Sequence, residues 1–342
     1  MKLIFVIYDG IENSVFPSQV LAPILNRIDE NKHIEVTLVS FERKSYSKNF
    51  IQKIIPDYER LDFVLLYKPK FLGKISLMFG VRPLKKLIEK IKPKQIIARG
   101  PLAGWVVLKV NYSNEHLMRG EQRSLIVQAR GLLAEEFRLA SRLSRFIKKI
   151  LYRIYLNIEK EVYASGVEIE SVSQALKGYL VETFGTDSSK FSIAEKDIPK
   201  PIDKKLVNIW GKQVREELNI SSDAYVYCYC GSAHVWQCID EMIEFFTEEI
   251  RKNPKAFFLV LSGSKEVLEK NFTEAKIDKR KYKIIKVSYS DVYKYMSASD
   301  AGLLFRKRDI VNWVSRPTKA LEYRSVGLKI IHNNTVGLLA EK

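Results

Sequence analysis

The sequence predicts an α/β protein made of two doubly wound, parallel-sheet domains, and three observations carry that expectation. Short runs rich in β-branched and aromatic residues alternate with amphipathic helical stretches along nearly the full chain, the pattern of βα units closing on parallel sheets. The 342 residues exceed what one hydrophobic core usually holds and suit two. A connector at 198–202, containing Pro199-Lys200-Pro201, resists regular structure between two series of strands. The expected domains are therefore residues 1–200 and 201–342.

The first series reads as strands at 2–8, 35–41, 63–67, 95–98, 125–128 and 167–171, with helical patterns at 16–28, 83–91 and 134–164 among them. The second reads as strands at 225–230, 257–261, 283–287, 301–305 and 329–332. No repeat of solenoid period is present. Ligands in open parallel sheets bind beyond the carboxyl ends of the strands, so two such domains make a cleft between them the default site.

Composition narrows the class. With 46% hydrophobic and 28% charged residues, 16 glycines and 11 prolines, the chain is neither disordered nor collagen-like. A net charge of +17 favours anionic partners: nucleotide phosphates, an acidic bilayer surface or nucleic acid. Cys228, Cys230 and Cys238 are too few and too clustered for a disulfide framework, which points to a reducing cytoplasm. The apolar run 3–8 stops at Asp9, and the run 102–108 is only helix-core length, so the expected protein is soluble or peripheral.

The richest local signal is Ser315-Arg316-Pro317-Thr318-Lys319-Ala320-Leu321-Glu322-Tyr323, read as a loop opening a helix that ends near Gly327. Pro317 suits the first helical position, so backbone N–H groups of that turn, those of Thr318 and Lys319 included, and the positive end of the helix dipole would receive a diphosphate. Lys319 adds a cation. Glu322, one turn on and on the same face, is placed to accept hydrogen bonds from a vicinal diol such as a ribose. The plain alternative is an i,i+3 Lys–Glu pair on a solvated helix.

Ser-x-Pro-Thr-Lys-x-x-Glu-Tyr-x-x-x-Gly-x-x-Ile-Ile resembles the donor-site signature of family-4 glycosyltransferases of the GT-B fold. Other segments are similar to the family in the same order: Gln95-Ile-Ile-Ala-Arg99-Gly100, Ile126-Val-Gln-Ala-Arg130-Gly131 with Glu135-Glu136, Ser171-Val-Ser-Gln-Ala-Leu with Phe184-Gly185, and Tyr295-Met with Asp300-Ala-Gly-Leu-Leu. The resemblance implies a GT-B architecture and a hexosyl transfer from a nucleotide sugar, UDP- or GDP-linked, with retention of configuration. It further implies no metal and no separate cofactor, since the nucleotide sugar is a substrate. No Asp-x-Asp pair occurs in the chain, in keeping with that implication. Fixed cations and helix dipoles would then stabilise the departing diphosphate.

Carried over residue by residue, the resemblance assigns donor binding to Gly231, Ser232, Ser315, Arg316, Pro317, Thr318, Lys319 and Glu322. Three departures stand out. Many members carry a Glu where this chain has Val314, and an Arg and a Lys where it has Ser232 and Gln237. Arg306, with Lys307, Arg308 and Arg316, is a candidate replacement for those cations, which makes Arg306 and Lys319 catalytic candidates. The chain also stops at Lys342, where the family usually continues through a further strand and helix, implying a short or truncated member.

On the acceptor side, Asn13, Ser14 and Gln19 follow the first strand and are candidate contacts, although Asn13 or Ser14 also suits a helix cap. His116, in a polar loop, is a third catalytic candidate, able to orient or deprotonate a hydroxyl. Cys228, Cys230, His234 and Cys238 have ligand-like spacing, but alternation buries the first two on one face of a strand, so no metal site is expected. Arg138, Arg142, Arg145, Lys149 and Arg153 follow helical spacing beside the stripe Leu139, Leu143, Phe146, Ile150 and Ile154. That basic amphipathic stretch fits peripheral attachment to the acidic inner face of a plasma membrane, where a glycan or lipid-linked acceptor of surface polysaccharide synthesis would be presented. A nucleic-acid-binding protein is the competing class, and it lacks the expected Gly-aromatic or zinc-finger signatures. A degenerate, nucleotide-binding transferase that serves a partner is the other.

Overall fold

A computed structural model describes all residues except 14, 71–73, 111–123, 196–197, 234–236 and 341–342. The chain divides into two compact units, Met1–Asp197 and Ile198–Lys342.

Unit 1 carries strands β1 (Lys2–Ile7), β2 (Glu35–Glu42), β3 (Leu61–Tyr67), β4 (Gln95–Arg99), β5 (Ser124–Ala129), β6 (Glu168–Ser171) and β7 (Phe191–Ile193). Its helices are α1 (Ala22–Glu30), α2 (Lys48–Ile54), α3 (Lys74–Ile91), α4 (Gly100–Lys109), α5 (Leu133–Ala140), α6 (Arg145–Tyr163) and α7 (Gln174–Phe184). All strand pairs are parallel, in the order β3-β2-β1-β4-β5-β6-β7, so the order reverses between β1 and β4. β1 and β2 are buried along nearly their full length, as strands covered by helices on both faces must be.

Four features differ from the sequence reading. β7 is an added edge strand of three residues, too short to give a period. The helix expected at 16–28 opens with a π-turn, Pro17–Leu21, before α1, which places Pro23 in the first turn of α1, where its missing N–H is harmless. Pro83 lies inside α3 and does not start it. The long helix expected at 134–164 is two helices. Ser141 and Ser144 are extended, and the Ser141 hydroxyl accepts the Leu143 N–H at 3.3 Å, an alternative to continuing the helical ladder.

Unit 2 carries β8 (Tyr225–Cys230), β9 (Ala256–Leu261), β10 (Tyr282–Ile285), β11 (Ala301–Leu304) and β12 (Lys329–His332), all parallel in the order β10-β9-β8-β11-β12. Its helices are α8 (Lys204–Glu217), α9 (Ile239–Lys252), α10 (Lys265–Glu274), α11 (Val292–Met296), α12 (Ile310–Val314), α13 (Thr318–Ser325) and α14 (Gly337–Ala340). β8 sorts its side chains by the strand period: Tyr227 and Tyr229 join one core cluster, Cys228 and Cys230 the other.

One tyrosine locks α13 under this sheet. β8 and β11 pair only at Tyr227–Ala301 and Cys228–Gly302, and beyond that point the fully buried Tyr323 enters the gap. Its hydroxyl accepts the Cys230 N–H at 3.1 Å and donates to the Leu303 carbonyl at 3.3 Å, supplying partners that the splayed ladder no longer does. Gly302 permits this approach, because a Cβ there would lie 2.5 Å from the Tyr323 ring.

Candidate functional site

The carboxyl end of β8 in unit 2 gathers two cations, one on each face of the sheet. On the Cys230 face, Lys319 Nζ lies 2.5 Å from Glu322 Oε2 and is hydrogen-bonded to Cys230. Glu322 is 1% exposed, so the i,i+3 pair forms but is buried, not the solvated pair of the plain alternative. Burial works against the lysine's charge, yet Cys230 and Glu322 beside it hold the ammonium's pKa above the usual lysine value. Burial likewise pushes the Cys230 thiol up.

Pro317 occupies the N-cap and not the first helical position, because its ψ of 126° is extended and the helix proper starts at Thr318. The Ala320 N–H returns to the Pro317 carbonyl at 3.0 Å, and Pro317 itself has no side chain able to cap this end of α13. Such a helix start offers positive dipole and amide donors to an anion. Just before it, Ser315 Oγ donates to the Asn312 carbonyl at 2.8 Å, and Arg316 is half-buried. Val314, where the resemblance expects an acid, is fully buried.

On the Tyr229 face, Arg306 follows β11. Its backbone is clamped by Asn333, which accepts the Arg306 N–H at 3.2 Å and donates to its carbonyl at 2.8 Å. Its guanidinium donates to Gln237 Oε1 and to the Phe305 carbonyl. Burial lowers the guanidinium's pKa, which still leaves it charged. Arg306 thus brings a cation to the side chain of Gln237, one of the two positions where the resemblance expects one. Gly231 turns away from β8 with no room for a Cβ, which would lie 2.6 Å from the Tyr229 hydroxyl, and that hydroxyl donates to the Ser232 carbonyl at 2.7 Å.

In unit 1 the sheet's carboxyl edge holds a cavity of about 590 Å³. Tyr8, Asp9 and Gly10 after β1, Glu42 to Lys44 at the end of β2, and Lys68 and Lys70 after β3 form its walls with Ser76, Leu77, Leu102 and Tyr155. Glu42, 4% exposed, accepts from Ile11 N at 2.8 Å, Ser40 Oγ at 2.5 Å and Tyr46 Oη at 3.2 Å, so it braces the loop after β1. Gly10 is required there: its φ is +84°, and a Cβ would lie 2.8 Å from Glu42 Oε2. Lys68 donates to the Tyr8 carbonyl and stands 4.4 Å above the Tyr8 ring, with burial pulling its pKa down. These residues were missed in the sequence. The available signal was the charge immediately after three strands, Asp9, Glu42-Arg43-Lys44 and Lys68-Pro69-Lys70.

Two of the residues singled out for acceptor contact, Asn13 and Gln19, have hydrogen-bond partners within unit 1. Asn13 Oδ1 accepts the Val15 N–H at 3.2 Å in a side-chain turn, and Gln19 Oε1 accepts from Arg99 at 2.7 Å. Neither is among the residues that line the cavity. Ser14, His116 and His234 lie outside the described residues. Cys228 and Cys230 belong to one core cluster and Cys238 to the other, on opposite faces of the sheet, so they cannot share an ion. Among the described residues, no group of three His, Cys, Asp or Glu side chains is placed to hold a metal.

The basic stretch is not one helix face. Arg138 ends α5, paired with Glu135 at 2.6 Å, Arg142 lies in the turn, and Arg145, Lys149 and Arg153 are exposed on α6. The apolar stripe also fails to pack: Leu139, Leu143, Phe146 and Ile150 are exposed, and only Ile154 is half-buried.

No family model matches the chain, and no curated protein does. Solved structures do. Sucrose-phosphate synthase from Thermosynechococcus elongatus aligns at a TM-score of 0.68 and 14% identity, covering 99% of this chain and 82% of that one. WaaG, a glycosyltransferase involved in lipopolysaccharide biosynthesis, aligns at 0.61 and 12%, covering 98% and 82%. The UDP-GlcNAc 2-epimerase of Methanocaldococcus jannaschii aligns at 0.54 and 14%, covering 97% and 83%. With two all-parallel sheets, these likenesses establish the GT-B fold, two Rossmann-like units in one chain. At such identities they speak to fold alone, and transferases and an epimerase share it.

Proposed function

We propose that this protein is a glycosyltransferase that takes a sugar from a nucleotide sugar, UDP- or GDP-linked, and passes it to a glycan or lipid-linked acceptor of cell-surface polysaccharide synthesis. The observation that carries the reading is the buried Lys319–Glu322 pair directly behind the start of α13, where Pro317 provides no side-chain cap. In this proposal the amides at that helix start and Lys319 receive the diphosphate, while Arg306 supplies the second cation from the opposite face of β8. Glu322 exchanges Lys319 for the ribose hydroxyls when the nucleotide enters. The cations stabilise the negative charge that grows on the departing diphosphate, and transfer proceeds with retention and without a metal. The names of the neighbours support this donor class, since one acts on UDP-GlcNAc and others transfer sugars. The cavity of unit 1 is the proposed acceptor site.

Calorimetry with UDP and GDP tests the donor assignment. Wild type is expected to bind one of them, and Glu322→Gln, which keeps the shape but not the charge, to lose about tenfold or more in affinity. Equal affinity in both proteins removes the ribose role. Tight nucleotide binding without transfer or donor hydrolysis over a panel of nucleotide sugars favours the degenerate-transferase reading, for which Val314, Ser232 and Gln237 argue.

A further inference from the structure

The start of α6 and the turn before it stand in solvent on every side. From Arg142 to Ile147 each residue is exposed, Phe146 is 75% exposed, and Ile150 on the next turn is still 44% exposed. A surface helix of a soluble domain normally turns its apolar stripe to the core. Here Leu139, Leu143, Phe146, Ile147 and Ile150 form an apolar surface that stays exposed among the described residues of unit 1. Interleaved with them are Arg142, Arg145, Lys149 and Arg153, none of which forms an ion pair among the described residues. Lys148 is held back, donating to the Ser141 carbonyl at 3.1 Å.

A second apolar face lies on the adjoining helix. Ile75, Met78 and Phe79 follow the i, i+3, i+4 spacing of one face of α3, and all three are more than half exposed. α3 is tied to α6 by the Lys74–Glu161 ion pair. Ser76 and Leu77 of α3 and Tyr155 of α6 line the same basic cavity. Exposed apolar side chains therefore occur on both helices that border the opening where Arg43, Lys68 and Lys70 lie.

We infer that this face of unit 1 docks on an anionic lipid bilayer, with Leu143, Phe146, Ile147 and Ile150 inserted to the level of the acyl boundary and Arg142, Arg145, Lys149 and Arg153 among the headgroups. Charge complementarity selects the occupant. A protein groove would take the apolar stripe but would need carboxylates spaced around it for the cations, whereas an acidic leaflet presents negative charge on all sides and hydrocarbon beneath. Each cation near such a surface contributes about 1 kcal/mol, and apolar insertion adds to that, so attachment needs no spanning helix. Among the described residues, no helix is long and apolar enough to cross a membrane. The cavity beside this face would then open toward acceptors carried in the leaflet.

The inference rests on the exposed surface alone, not on the donor reading. Its test is co-sedimentation of the full chain with phosphatidylcholine vesicles, with and without phosphatidylglycerol. Wild type is expected to bind the mixed vesicles. Phe146→Ser/Ile150→Ser is expected to bind them about tenfold or more weakly with an unchanged melting temperature, because both side chains are already exposed. Arg145→Gln/Lys149→Gln should lose the preference for anionic lipid, and Phe146→Trp should shift its emission to the blue on vesicles. A control at an exposed apolar position of unit 2, Val267→Ser, should change nothing. Wild-type binding in Phe146→Ser/Ile150→Ser overturns the proposal. So does a wild-type protein that ignores vesicles but forms a dimer which the same variant dissolves, since the patch would then be a contact between two copies. Calorimetry with nucleotide is expected to be unchanged in every variant, so a failure here leaves the donor assignment standing, and the reverse.

Discussion

Lys319 and Glu322 of unit 2 are an i,i+3 pair on one helix, whereas Lys68 and Glu42 of unit 1 follow different strands and come together because β2 and β3 are neighbours, the Lys68 N–H donating to the Glu42 carbonyl at 2.7 Å. Both pairs sit at the carboxyl edge of a parallel sheet. The first is written in a short piece of chain and can be read there. The second is assembled by the sheet, with Gly10, Tyr8 and Tyr46 contributed from elsewhere. The same position in two Rossmann-like units is thus furnished once by a local motif and once by topology, and the two should respond differently to substitution.

The largest expected effect is in unit 2. Lys319→Met leaves Glu322 buried without its cation and is expected to cost roughly 3 kcal/mol in urea denaturation, while Lys319→Met with Glu322→Leu should recover most of it. A cost within about 0.5 kcal/mol would mean that the pair contributes no more than an exposed one. Next comes the lock on α13. Gly302→Ala drives a Cβ into the Tyr323 ring, and Tyr323→Phe leaves the Cys230 N–H without its acceptor; each is expected to lower stability by about 1–3 kcal/mol. In unit 1, Glu42→Ala should cost about 1–2 kcal/mol, and hydrogen exchange at the Ile11 amide should speed up, because the carboxylate is that amide's acceptor. Equal protection at Ile11 in both proteins would show that topology alone holds the loop.

The subtlest effect is a slope. Glu159 on α6 accepts the Leu133 and Ala134 N–H groups at the start of α5, and burial pushes its carboxyl up to about 8 against the downward pull of those bonds. An acid whose folded pKa lies above its unfolded value binds its proton more tightly when folded. Its contribution is therefore complete below about pH 4.5, declines as the pH rises toward 8 and is flat beyond. Glu159→Gln, which keeps an acceptor for those amides, should flatten stability over that window. An unchanged slope would place the titration elsewhere.

Eleven of the twelve strands among the described residues were legible because buried parallel strands are short, continuous apolar runs, and β8 and β12 match their expected limits to the residue. The helices were less so. The 134–164 pattern kept its period through Ser141 to Ser144, yet the backbone turned there, because periodicity records which side of a helix is apolar and not whether the hydrogen-bond ladder continues. The Asn13 side chain takes the Val15 amide in a local turn, as its suitability for a helix cap suggested, whereas Gln19 meets Arg99 from 80 residues away, a contact that spacing cannot reveal.

By itself the sequence determined the alternation that makes two parallel sheets, the breaking of regular structure at Pro199 and Pro201, and the order Pro317-Thr318-Lys319 with Glu322 one turn on. These follow from backbone geometry within a few residues. The tertiary structure decided that Glu322 is buried, that Arg306 reaches Gln237, that Glu42 and Lys68 line one cavity, and that Phe146 and Ile150 stay exposed. The physical reason is common to all four. Burial and pairing depend on what other elements place within a few ångströms, and an apolar or charged side chain has the same local pattern whether or not a partner arrives.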